Sequence, residues 1–170
     1  MTRYIVTLIF IYLSCMDTAM GQSHKKDLTI NYSKFISLNN FEEIRDIKRL
    51  YVFNDSTLVF PAIKTEIMPK NGILINMPKG ITNLKNLKEL YLVGLFISEF
   101  EANMMALTEL EKLKFSIPRN VDIDKLIADL RKFKSLKIID ISDSVVDKKQ
   151  IEKLEKGLPQ IKIVDTTFFK

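Results

Sequence analysis

The 170-residue chain holds no tryptophan, one cysteine and one histidine, and the last two scarcities each remove a class of chemistry. A His/Cys metal site takes three or four ligands, and Cys15 and His24 are the whole supply, so no metal and no other cofactor is implied. Nucleophilic catalysis of the Ser-His-Asp or Cys-His kind would rest on His24. That residue sits in the polar stretch Gln22-Ser23-His24-Lys25-Lys26, where nothing fixes a base. The acidic pairs Glu42/Glu43 and Asp122/Asp124 are adjacent or helix-starting carboxylates on which no second residue set converges. The expectation is a protein that is not an enzyme. What the chain does have is a composition 46% apolar and 28% charged, enough to bury a core and too apolar for intrinsic disorder. At this length one domain is the natural count.

The apolar residues begin with a segment that does not belong to that domain. Met1-Thr2-Arg3 carries the N-terminal charges, a mostly apolar run follows over 4–15, and Ala19-Met20-Gly21 places small residues where a signal peptidase reads. This is the pattern of a secretory signal over residues 1–21. A membrane span needs about 20 apolar residues to cross about 30 Å of hydrocarbon, and this run stops at Met16-Asp17. A second exit is open, because Leu13-Ser14-Cys15 resembles a degenerate lipobox in which Cys15 is lipidated and becomes the first mature residue. Tyr12, where that motif prefers an aliphatic side chain, departs from it. Either route predicts an exported protein, secreted, periplasmic or at the cell surface, with no transmembrane segment in the mature chain. Cleavage after Gly21 leaves no cysteine, so the mature fold must be held by packing alone.

Beyond the signal the sequence repeats. Leu84, Leu87, Leu90 and Leu92 recur as Leu107, Leu110, Leu113 and Phe115, then as Phe133, Leu136, Ile139 and Ile141, and in the tail as Leu158, Ile161 and Ile163. The offsets from Leu90 to Leu113, Leu113 to Ile139 and Ile139 to Ile161 are 23, 26 and 22 residues. Upstream, Ile44, Ile47, Leu50 and Val52 supply another copy. Between Leu50 and Leu90 there is room for one more unit of irregular length, with its strand at either Ile67-Met68-Pro69 or Ile73-Leu74-Ile75. Apolar residues three apart also fit a helix face, but blocks that each close on an apolar-x-apolar triplet fit it poorly.

The recurring L-x-x-L-x-L resembles the leucine-rich repeat, and Met77-Pro78-Lys79-Gly80-Ile81-Thr82-Asn83-Leu84 is similar to the segment that joins consecutive coils in that family. The resemblance covers roughly residues 41–170. It implies an α/β fold: a right-handed solenoid of about five or six repeats, with a concave parallel sheet and a helical or irregular convex side. Residues 22–46 would form an N-terminal cap and 47–170 the repeats with their C-terminal cap. Phe35, Ile36, Leu38 and Phe41 would cover one open end, and Phe168 and Phe169 the other. The disulfide caps of many extracellular members are missing, which points to a bacterial exported protein. The family's asparagine ladder is missing too: its positions fall on Asp55, Leu95, Pro118, Ser144 and Thr166, so the coils at Leu95 and Pro118 are expected to be irregular.

Alternate strand residues face inward, which assigns Leu90, Leu92, Leu113, Phe115, Ile139 and Ile141 to the core. The return path adds Leu84, Leu87, Leu107, Leu110, Phe133 and Leu136. Asp122 and Asp124 near one end and Arg131, Lys132 and Lys134 near the other predict a helix between Phe115 and Ile139, the charge order its dipole favours. Asp147 to Lys156, stopped by Gly157 and Pro159, predicts a second.

On the concave face the resemblance gives two outward columns: Tyr51, Tyr91, Lys114, Asp140 and Lys162, then Phe53, Val93, Ser116, Ser142 and Val164. Tyr51, Phe53, Tyr91 and Val93 form an aromatic, apolar patch suited to binding, unless some pack under the N-terminal cap. Lys114, Asp140 and Lys162 alternate in sign, which also suits a charge ladder with no ligand. Six strands at about 4.8 Å give a sheet about 29 Å across, whose few outward residues offer on the order of a few hundred Å², less than the about 800 Å² per side of a standard protein interface. The expected function is non-catalytic recognition of a protein or peptide through this face. The alternative is an envelope, polyanion or glycan binder, suggested by an isoelectric point near 9.2. Nucleic acid is not an expected partner.

Overall fold

The residues of the repeat fall on parallel strands laid side by side. A computed structural model describes residues 27–38, 44–54, 73–74 and 78–165. The chain begins with β1 (Asp27–Asn31) and the short helix α1 (Tyr32–Ser37), followed by β2 (Arg49–Phe53), β3 (Ile73–Leu74) and the long β4 (Glu89–Glu99). Then come β5 (Lys112–Ser116), helix α2 (Ile123–Leu130), β6 (Ile138–Asp140), helix α3 (Lys148–Gly157) and β7 (Lys162–Val164). Short 3₁₀ turns at Lys79–Asn83 and Ala102–Ala106 precede β4 and β5. Six strands lie in the order β1-β2-β4-β5-β6-β7, every pair parallel, and β3 adds to β4 outside that path. The fold is α/β.

Register explains the hydrophobic pattern. Leu28, Leu50, Leu90, Leu113, Ile139 and Ile163 stand opposite one another across six strands. The four central members of that row are at most 2% exposed. Leu84, Leu87, Leu107, Leu110, Phe133 and Leu136 close onto the same core from the segments between strands, all buried. Burying a leucine contributes about 1.5–3 kcal/mol, so this aligned apolar row is a main source of the stability of the ladder.

Both expected helices form. Asp122 caps α2 by accepting from the backbone N–H groups of Asp124 and Lys125. Asp147 caps α3 through a reciprocal pair of bonds with Gln150, each 2.9 Å. The two helices pack together at Gly157, where the side chain of Ile127 fills the space a Cβ would need. Arg131 seals the joint, its Nε and Nη2 donating to the Gly157 carbonyl at 3.1 and 2.8 Å.

One feature adds to the expectations and three depart from them. First, residues 27–31, within the stretch assigned to a cap, form a sheet strand, with Phe35 of α1 fully buried behind it. Second, the interval between Leu50 and Leu90 inserts no strand into the ladder: β2 pairs directly with β4, Leu50 opposite Leu90. Ile73–Leu74 does form a strand, but it pairs with the far half of β4, Ile73 opposite Ile97, while Ile67-Met68-Pro69 lies outside the described residues. Third, Leu95 sits not in a turn but within the 11-residue β4. The buried residues run Leu90, Leu92, Leu95 and Ile97, so the alternation skips one residue at Gly94, whose φ of +70° absorbs it as a bulge.

Fourth, β7 is shifted. Ile163, not Ile161, stands opposite Ile139, which places Val164 beside Asp140 and Lys162 beside Ile138. A shift of two residues keeps every side chain on its own face, so hydrophobic spacing alone does not distinguish the two registers.

Candidate functional site

The open face of the sheet carries the residues between the buried rows. At the amino-terminal ends of the strands one outward row reads Asp27, Arg49, Glu89, Lys112, Ile138 and Lys162. The next outward row reads Thr29, Tyr51, Tyr91, Lys114, Asp140 and Val164, and beyond it stand Asn31, Phe53 and Val93. Tyr51, Tyr91, Lys114 and Asp140 therefore share a row as expected. Lys162 does not: it belongs to the neighbouring row, two residues along the strand. Phe53 and Val93 are paired, but Ser116 stands opposite Phe96 because of the Gly94 bulge and is 1% exposed, so it leaves the open face altogether.

Tyr51 and Tyr91 stack with ring centroids 4.4 Å apart and planes 9° from parallel. Their register on adjacent parallel strands sets this geometry, since side chains in one row repeat at roughly the strand spacing of about 4.8 Å. The ammonium of Lys112 lies over the Tyr91 ring, 5.1 Å from its centroid. The Tyr91 hydroxyl donates to Glu89. Burial, then that bond to a carboxylate, pushes the phenol well above its ordinary range, so Tyr91 stays neutral and keeps the proton it donates to Glu89. Arg49 hydrogen-bonds Tyr51 and lies between Asp27 at 3.3 Å and Glu89 at 3.8 Å, and these partners hold its guanidinium above its usual range. The aromatic pair is thus fixed by a charged frame along the row beside it.

The expected charge alternation of Lys114, Asp140 and Lys162 resolves differently. Lys114 pairs with Asp143 at 2.9 Å, and Asp140 accepts both the Ser142 hydroxyl at 2.6 Å and the Ser142 backbone N–H at 3.2 Å. The alternating ladder lies one row over, in Asp27, Arg49, Glu89 and Lys112, and the sequence carried its signal as the residue two places before each of Thr29, Tyr51, Tyr91 and Lys114. Cys15, Phe41, Asp55, Thr166, Phe168 and Phe169 lie outside the described residues.

The backbone-satisfying role expected of an asparagine ladder falls to two side chains. Ser144, 6% exposed, accepts from the buried N–H of Ile117 at 2.8 Å, while Val145 N–H donates to the Ile117 carbonyl at 2.9 Å. Asn54, one residue before the expected position, donates its side-chain amide to the Gly94 carbonyl at 3.1 Å. Of the carboxylates weighed for catalysis, Asp122 caps α2 and Asp124 receives Lys153 at 2.6 Å, while Glu42 and Glu43 lie outside the described residues. Among the described residues no three His, Cys, Asp or Glu side chains group as a metal site, and no helix is long and apolar enough to cross a membrane. No protein-family model and no curated protein matches the chain.

Proposed function

We propose that the chain is a non-catalytic, exported recognition module of the leucine-rich-repeat type, which binds a protein or peptide through the open face around Tyr51, Phe53, Tyr91 and Val93. The solenoid reading is supported by the pairing of each L-x-x-L-x-L strand with its predecessor in the chain, Leu90 beside Leu113 beside Ile139, because stacked units touch only their neighbours. Export rests on the sequence of residues 1–21, with Cys15 as the lipid anchor on the alternative route.

The observation that carries the binding assignment is the stacked Tyr51–Tyr91 pair beside Phe53 and Val93, half-buried and already ordered. Fixed aromatic rings offer contact area at little further entropic cost on binding. A glycan that lies flat on an aromatic face is disfavoured, because Tyr91 already stacks on Tyr51 and receives Lys112. Ring edges and apolar neighbours remain, which suit a peptide or protein side chain.

The test is Tyr51→Ala combined with Tyr91→Ala in the mature chain used as bait on a cell-surface extract. The expected result is loss of the captured partner by tenfold or more, with far-UV circular dichroism unchanged. Undiminished capture would sink the site assignment.

A further inference from the structure

Pairing gathers positive charge in a place the linear sequence does not reveal. The residues just before the first outward row are Lys48, Lys88, Glu111 and Lys137. They are tied in line by backbone bonds: Lys88 and Glu89 N–H to the Lys48 carbonyl, Glu111 and Lys112 N–H to that of Lys88, Lys137 and Ile138 N–H to that of Glu111, and Lys162 N–H to that of Lys137. Together with the row Asp27, Arg49, Glu89, Lys112, Ile138 and Lys162, they make the amino-terminal rim of the sheet. Its cations are Lys48, Arg49, Lys88, Lys112, Lys137 and Lys162; its carboxylates are Asp27, Glu89 and Glu111, with Glu109 acting on Lys88 from the adjoining turn.

The carboxylates are already engaged. Glu111 takes Lys88 and Lys137, each at 2.8 Å, and Asp27 and Glu89 flank Arg49. Among the described residues Lys48, Lys112 and Lys162 form no ion pair with an acidic side chain. Lys112 and Lys162 stand two strands apart, about 10 Å, with Ile138 between them on the same face.

We infer that this rim is the docking site for an acidic peptide segment of the partner, with two carboxylates placed on Lys112 and Lys162 and an aliphatic side chain between them over Ile138. The inference rests on the recognition reading above and specifies its ligand chemistry. An extended chain advances about 3.3 Å per residue, so the two acids stand two to four positions apart. A uniform polyanion fits worse. It would meet Asp27, Glu89 and Glu111 interleaved with the cations, and it has nothing to offer Ile138 or the neighbouring Tyr91 and Val164. A mixed acidic and apolar sequence matches both.

The test is selection of random twelve-residue peptides displayed on phage against the mature chain. Enrichment of paired Asp or Glu flanking an aliphatic residue is expected. The affinity of a selected peptide should fall at least tenfold with Lys112→Gln plus Lys162→Gln, and fall with added salt, while the variant keeps the parent's far-UV circular dichroism. No acidic enrichment, or equal binding by the variant, overturns the inference. Full displacement of the peptide by heparin at matched charge also overturns it, since the rim would then accept any polyanion. Peptides that are apolar, lost in the Tyr51→Ala, Tyr91→Ala variant and kept in the lysine variant would overturn the rim alone and leave the recognition reading in place.

Discussion

Replacing Ser144 by alanine removes one oxygen from the interior and asks whether the bond that ties two neighbouring units together is present in solution. Ser144 Oγ accepts from Ile117 N–H at 2.8 Å, and Ile117 itself is 0% exposed. No water replaces the lost acceptor at such a site, so the full desolvation cost of an orphaned amide is felt, about 1–3 kcal/mol. The packing loss is minor by comparison, because a hydroxyl is small and alanine keeps the Cβ. For a domain of this size each kcal/mol lowers Tm by about 2–4 °C, which gives a fall of about 2–12 °C in differential scanning calorimetry. Native-state hydrogen exchange provides the local readout: the Ile117 amide should lose protection, while that of Val145, bonded to the Ile117 carbonyl at 2.9 Å, should lose less. A change below about 0.5 kcal/mol with Ile117 exchange unaltered would refute the claim that Ser144 satisfies the buried Ile117 amide.

Two further outcomes follow from packing and charge. Gly157→Ala brings a Cβ to 2.6 Å from Ile127 Cδ1, and overpacking of this kind costs about 1–3 kcal/mol; adding Ile127→Val removes that nearest atom and should recover part of the loss in urea denaturation. Glu111, held by hydrogen bonds to Lys137 and Lys88, titrates at about 2 rather than 4.5. Because its folded value is the lower one, its contribution is fully present above about pH 4.5 and is lost as the pH falls towards 2. Glu111→Gln should therefore flatten the stability profile across that window, and a parent and variant losing stability in parallel there would contradict it.

The core was legible because leucine spacing and strand alternation carry the same information. The spacing assigns Leu90, Leu113 and Ile139 inward, where they are buried, and the acids and bases at the ends of α2 and α3 mark both helices. The rest depends on information that alternation does not hold. The two-residue shift that moves Lys162 out of the Lys114 row leaves parity intact. The bulge at Gly94 changes parity and so hides the continuation of β4 through Leu95 and Ile97. β1 has no leading L-x-x-L, only Leu28 and Ile30, and two apolar residues are a weak signal for a strand. For the open face, residue types were read along single columns, whereas the charged frame around Tyr51 and Tyr91 depends on pairing between strands. Asp27 meets Arg49 only after β1 is in place.

The strand order has a mechanical consequence. β1 and β7 are the two edges of the ladder, and the chain visits the strands between them in order, apart from the side strand β3. Tension applied to the two ends therefore pulls across the strands, along the axes of the hydrogen bonds that join them, and loads one pair at a time instead of shearing all of them together. The β5–β6 and β6–β7 pairs, each joined through only three residues, make the carboxy-terminal end of the ladder the first to part. Stretched by its ends, such a molecule yields in small steps and behaves as a soft, extensible tether.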